Sequence, residues 1–222
     1  MQQFFDAVRA GRVDEATRFA KENPDLLRTR DASGASPVLV AIYNGKLDVA
    51  NGLAALTTLD LYEASALGKV DRIREILRQD PGLVSTHAPD GFTPVALAAF
   101  FGHADAARVL IAAGADVDAA AKNAFKVTAL HAAVAGRNMD IVRAVLDAGA
   151  DANAPQQAGF RPIHEAGANA NRELAELLIA HGANPALAND AGKSAIDLAG
   201  EKGHPEFARW MSDRGQVTRS DQ

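Results

Sequence analysis

The feature that most constrains this chain is a period. The stretch TPVALAAFFGHADAARVLIAAGADVDAAAKNAFKV runs from Thr93 to Val127. TALHAAVAGRNMDIVRAVLDAGADANAPQQAGF follows from Thr128 to Phe160, and RPIHEAGANANRELAELLIAHGANPALANDAGK from Arg161 to Lys193. Self-similarity at about 33 residues marks a stacked array of small supersecondary units. No single unit can bury its own apolar face, so each is stabilised by its neighbours and several are needed. A globule wound around a central sheet is not compatible with that pattern.

The residues within one period read as two short helices. Thr93-Pro94 is an N-cap followed by the first helical position; the Thr oxygen can take an orphan N–H, and proline there loses no bond. Ser36-Pro37 repeats the pair. Val95, Leu97, Ala98 and Ala99 continue to a stop at Gly102. A second helix carries Ala106, Ala107, Val109, Leu110 and Ile111 and stops at Gly114. The alanines allow close approach, while Val, Leu and Ile supply apolar area. Two units depart from the pattern. Arg137 stands where others carry Gly, so either that helix ends differently or Gly136 takes the role one residue early. Arg161 replaces Thr or Ser, which predicts a start weaker by about 0.5–2 kcal/mol if nothing replaces the cap.

These motifs carry a resemblance. Thr93 to His103 (TPVALAAFFGH), Thr128 to Ala133 (TALHAA), and the endings Gly114-Ala115-Asp116, Gly149-Ala150-Asp151 and Gly182-Ala183-Asn184 resemble ankyrin repeats. The resemblance implies an all-α solenoid of helix–turn–helix units with outward β-hairpin loops. It also implies a scaffold that binds another protein and has no chemistry of its own.

Setting position one at each Thr-like start gives units opening near Gln2, Ser36, Leu59, Thr93, Thr128, Arg161 and Ser194, at intervals of 34, 23, 34, 35, 33 and 33 residues. The expectation is about seven units in one domain over 2–214, with a flexible tail over 215–222. The second unit is truncated: it passes from Leu56-Thr57-Thr58 directly into Leu59, without the Gly-Ala-Asp ending. That predicts a tight helix-to-helix connection and a notch in the row of hairpins. Asn23-Pro24-Asp25-Leu26-Leu27 and Asp80-Pro81-Gly82-Leu83-Val84 correspond, so units one and two look like a duplicate of units three and four. Phe207, Trp210 and Met211 are expected to cover the last core layer.

Bulk properties exclude several classes. With 48% hydrophobic and 23% charged residues the chain is a folded one. A net charge of −5 argues against a nucleic-acid surface. There is no cysteine, hence no disulfide, thiol nucleophile or thiolate zinc site. The N-terminal MQQFFDAVRAGRVDE lacks the apolar core of a signal peptide, and no run reaches the roughly 18 apolar residues of a membrane helix. The expected setting is the cytoplasm, without a membrane, in a monomer of bacterial type.

No catalytic or cofactor motif stands out. His131 and His164 recur at one position of consecutive units; stacked helices lie about 8–10 Å apart, too far for two rings to share one zinc without leaning together. The resemblance implies instead that each bonds loop backbone. Asp116, Asp118 and Asp151 sit in turns and lack calcium-loop spacing. No metal and no cofactor is expected.

The informative residues are hydrophobes out of place. The position before each Thr, which the resemblance puts on a hairpin tip, holds Ala35, Phe92, Val127, Phe160 and Lys193. Of nine phenylalanines, six lie outside the first unit, and five of those six fall in the central zone. The predicted partner-binding patch is Phe92, Leu97, Phe100, Phe101, Phe125, Val127 and Phe160, extended by Tyr43. Which of Phe100 and Phe101 faces outward is open. The leading reading is a non-catalytic protein–protein interaction scaffold. The alternative is a peptide or small-molecule sensor with a pocket near Leu56 to Leu59.

Overall fold

The computed structural model describes the backbone of residues 1–220 and the side chains of residues 1–214. The chain forms helix pairs: α1 (Gln2–Ala10) with α2 (Val13–Glu22), α3 (Pro37–Tyr43) with α4 (Leu47–Ala54), and α5 (Leu61–Ala66) with α6 (Val70–Gln79). There follow α7 (Pro94–Phe100) with α8 (Ala104–Ala112), α9 (Ala129–Ala135) with α10 (Met139–Asp147), α11 (Pro162–Ala168) with α12 (Arg172–Ala180), and α13 (Ala195–Glu201) with α14 (Pro205–Ser220). The odd-numbered helices pack in sequence as an inner row, the even-numbered ones as an outer row. Contacts run between neighbours along the array, the arrangement of an all-α solenoid. The flexible tail expected over 215–222 falls on residues whose side chains lie outside the described ones.

Capping chemistry sets the helix starts. Ser36 Oγ accepts from Leu39 N at 3.2 Å and Thr93 Oγ1 from Ala96 N at 3.3 Å, each with proline next in the chain. Between the rows, Ala64, Ala98, Ala133, Ala166 and Ala199 are fully buried and hold the helices close. Leu53, Ile73, Leu110, Leu130, Ile141, Ile163 and Leu178 fill the remaining space. Burying each of these stabilises the fold by about 1.5–3 kcal/mol. At the C-terminal end Phe207 and Met211 are buried, and Trp210 stacks on Phe207 at 5.2 Å with the Arg172 guanidinium 4.4 Å from its ring.

The hairpin loops are turns rather than ladders. Asp31 N donates to Ala35 O, Ala88 N to Phe92 O, Ala121 N to Val127 O, Gln156 N to Phe160 O and Asn189 N to Lys193 O. One such bond per loop is too little for a strand, and none is assigned among the described residues. Below the tips, a side chain of one turn reaches the next at three junctions. Ser85 Oγ accepts from Asp116 N at 2.9 Å, Asp118 Oδ1 from Asp151 N at 2.9 Å, and Asn153 Oδ1 from Asn184 N at 2.8 Å.

The truncated second unit corrects one expectation. Its connection is short, from Ala54 to Leu61, but the row of tips has no notch. The 31–35 loop closes directly onto the 88–92 loop, so tightly that a Cβ on Gly34 (φ 91°) would stand 2.7 Å from Pro89 O. Gly91 meets the Lys122 backbone in the same way, at 2.8 Å, so the two junctions are equivalent. The gap appears in the outer row instead. There α4 and α6 lack the packing other adjacent outer helices make, leaving an open cleft of about 780 Å³.

The fifth unit resolves a second question. Gly136 keeps helical backbone (φ −71°), and Arg137 itself takes the left-handed turn at φ 55°. Gly136 is needed for space: a Cβ there would lie 2.6 Å from Phe100 O.

Candidate partner-binding groove

Two of the differences between successive inner helices make a concavity. Leu97 and Phe100 on α7 correspond to Ala132 and Ala135 on α9. Bulk on one helix followed by small residues on the next leaves a groove of about 630 Å³ over α9. The C-terminal end of α7 walls one side with Phe100 and Phe101. The hairpin tips supply Phe92, Phe125, Val127 and Phe160, and Tyr43 comes from the end of α3. All eight residues of the sequence-derived patch line this one groove.

They do not contribute alike. Phe125, Phe100, Tyr43 and Phe160 are 56%, 50%, 38% and 37% exposed. Leu97, expected on the exposed patch, is only 3% exposed and belongs to the core, with its edge in the floor of the groove. Phe92 and Phe101 are half-buried because they pack on Tyr43, with centroids 6.2 and 6.0 Å away. Phe100 is therefore the outward ring of its pair, set edge-on to Phe101 at 5.1 Å. Ala35, at the corresponding tip of the first unit, is fully buried, because that tip is closed under the next one.

Tyr43 reaches across because the second unit lacks its hairpin. Its hydroxyl donates to Asp90 Oδ2 at 2.7 Å, joining residues 47 apart in sequence. Desolvation of the phenol, and then the adjacent Asp90 carboxylate, push its pKa well above the usual tyrosine range, so it stays a donor.

The two recurring histidines bond the backbone of the hairpin tips. His131 Nδ1 faces Thr128 N at 3.3 Å and its Nε2 faces Phe160 O at 3.4 Å. His164 Nδ1 accepts from Arg161 N at 2.9 Å, leaving Nε2–H to donate to Leu187 O at 3.0 Å and Lys193 O at 3.2 Å. Burial pushes His131 down to about 4, against the opposing pull of the Phe160 and Ala154 carbonyls. His164 is lowered as well, burial again the largest cause. Both rings are neutral near pH 7, as a donor–acceptor bridge requires.

Residues that sequence reading did not place in the patch complete the groove: Ala96, Ala132, Val134 and Ala135 in the floor, with Arg137, Gln156, Arg161, Pro162 and Glu165. Aligning the inner helices would have exposed the Ala132 and Ala135 substitutions. Arg161 supplies no cap oxygen. Its guanidinium donates to Gly159 O at 3.1 Å and Ala188 O at 2.8 Å, tying two loops together. The cleft at the truncated unit is of a different kind. Arg72 there pairs with Glu75 at 2.8 Å and donates to Leu59 O at 2.9 Å, so these polar groups are engaged with the protein itself.

Among the described residues no helix is long and apolar enough to cross a membrane. Residues 61–156 match a family model described as ankyrin repeats (3 copies). Among curated proteins, alpha-latrocrustotoxin-Lt1a of Latrodectus tredecimguttatus is 28% identical over 117 residues, 49% of this chain and 8% of that protein. Ankyrin repeat and SAM domain-containing protein 6 of Mus musculus is 30% identical over 132 residues, 54% of this chain and 15% of its own length. DNA-binding protein RFXANK of Homo sapiens is 36% identical over 69 residues, 31% of this chain and 26% of its own. The chain thus spans about a quarter or less of each of these relatives. Period, stacking and these matches agree: residues 61–156 are ankyrin repeats, and the helix pairs on either side continue the same stack.

Proposed function

We propose that this chain is a non-catalytic protein-binding module whose partner seats in the aromatic groove over α9. The observation that carries the reading is the gathering of eight residues, from units far apart in sequence, around one concavity of about 630 Å³. Its exposed rings, Phe100, Phe125, Phe160 and Tyr43, are rigid apolar anchors of the type that dominates interface energetics. An exposed aromatic patch on a folded array otherwise costs solubility, which favours a role in recognition. In this reading the protein works as a monomer in the cytoplasm. Its charge of −5 disfavours nucleic acid as a partner.

The test compares wild type with a Phe100→Ser/Phe125→Ser double variant in affinity purification from cells of the source organism. Both rings are at least half exposed, so the variant should fold normally. Loss of the recovered partner at an unchanged unfolding midpoint is the expected result. Equal recovery by the folded variant would remove the groove from the interface.

A further inference from the structure

The groove carries the opposite sign from the protein that contains it. The chain has a net charge of −5. Around the groove, however, Arg137 and Arg161 line the wall, and Lys126 stands between the lining residues Phe125 and Val127. Two carboxylates lie nearby, fewer than these three cations, and each accepts from a neutral side chain. Asp90 is buried beneath the Tyr43 hydroxyl, and Glu165 accepts from Asn169 Nδ2 at 2.8 Å. Arg137 and Lys126 form no ion pair among the described residues, and both side chains are exposed.

A comparison within the chain gives a second reason to look at Arg137. The turn between the two helices of each pair passes through positive φ at Gly11, Gly45, Gly68, Gly102, Arg137, Ala170 and Gly203. Five of these seven are glycine, which adopts that conformation freely. At Arg137 (φ 55°) the chain holds a long cationic side chain in a conformation L-residues disfavour, at the mouth of the groove. Lys126 does the same at φ 53° on the hairpin tip.

We infer that the occupant of the groove is an acidic peptide segment with apolar anchors: aromatic or leucine side chains seated against Phe100, Phe125 and Phe160, and flanking carboxylates reaching Arg137 and Lys126. This rests on the reading of the groove as the protein-binding site. A volume of about 630 Å³ suits a few side chains of an extended segment rather than a folded surface. The apolar walls select the anchors. The unpaired cations select the flanking charge, and they repel a basic segment of the same shape.

The test uses fluorescein-labelled peptides of roughly ten residues, each with the same Leu and Phe anchors and carrying Glu, Gln or Lys at the flanking positions. Fluorescence anisotropy reads binding to the full chain. The Glu series is expected to bind about 3- to 30-fold more tightly than the Gln series, as two or three exposed ion pairs allow, with the Lys series weakest. The preference should shrink between about 0.05 and about 0.5 M NaCl. Arg137→Gly removes the cation and restores the residue most of the other turns use, so it should fold at least as stably while the Glu-over-Gln preference falls. Equal binding by Glu and Gln series, both weakened by Phe125→Ser, overturns the charge inference and leaves the groove reading standing. Absence of binding by every series, or binding indifferent to Phe125→Ser, removes the groove reading and this inference together. Octanoate competing as strongly as the best peptide would overturn the peptide assignment in favour of a small amphipathic acid.

Discussion

Replacing Gly34 by alanine tests whether the first hairpin tip closes onto the third unit's tip. Two costs add at this position. The residue has φ 91°, where an L-side chain is disfavoured by about 1–2 kcal/mol. In addition, its Cβ would come within 2.7 Å of Pro89 O and 2.8 Å of Pro89 C, which are backbone atoms that cannot rotate away. Relieving that overlap requires the two loops to separate, a rearrangement on the scale of overpacking, about 1–3 kcal/mol. The sum is roughly 2–5 kcal/mol. Gly45→Ala is the matched control: φ is 67°, but nothing lies within 4 Å of the added carbon, so only the conformational cost applies. Urea unfolding followed by circular dichroism gives both midpoints. Trp210, the lone tryptophan, sits at the far end of the array and reports whether the damage stays local. A Gly34→Ala variant no less stable than Gly45→Ala would show that the tips do not meet, and the closed row would have to be abandoned.

Two further predictions concern stability. His131 is neutral when folded, its pKa lowered to about 4 from the ordinary 6.5. The unfolded chain therefore binds a proton first. The stability is complete above about pH 6.5 and falls as pH drops toward 4, by on the order of 3 kcal/mol. Urea midpoints between pH 7 and 4 should decline less steeply in His131→Asn, and an identical slope would refute the assignment. Ala170→Gly relieves the left-handed turn at φ 49° and should raise stability by about 0.5–1 kcal/mol after the entropy of the added glycine, read as a higher urea midpoint; a lower one would contradict the strain.

Much of the fold was legible because it is local. Ser36-Pro37 and Thr93-Pro94 announce helix starts through chemistry confined to a few residues, and the period extends that reading along the chain. What escaped was set by partners far away in sequence. The missing hairpin of the second unit predicts a gap, yet whether neighbouring tips close over it depends on Gly34 meeting Pro89. Tyr43 was identified as part of the patch, but its bond to Asp90 depends on that same closure. Leu97 shows the limit of reading a face from periodicity: on a helix only seven residues long, core and groove floor are adjacent. Arg137 shows the limit of a consensus, since the turn kept its conformation without the glycine that normally signals it.

The side-chain rungs beneath the tips have a consequence for how such a chain can change in length. Each rung joins one turn only to the turn beside it, and the acceptors Asp118 and Asn153 are interchangeable in geometry. Excising residues 128–160 would bring Asp118 alongside Asn184, whose amide it could accept as it now accepts that of Asp151. The array is therefore modular at these seams, and loss of that whole period leaves the two turns it joins with ready counterparts.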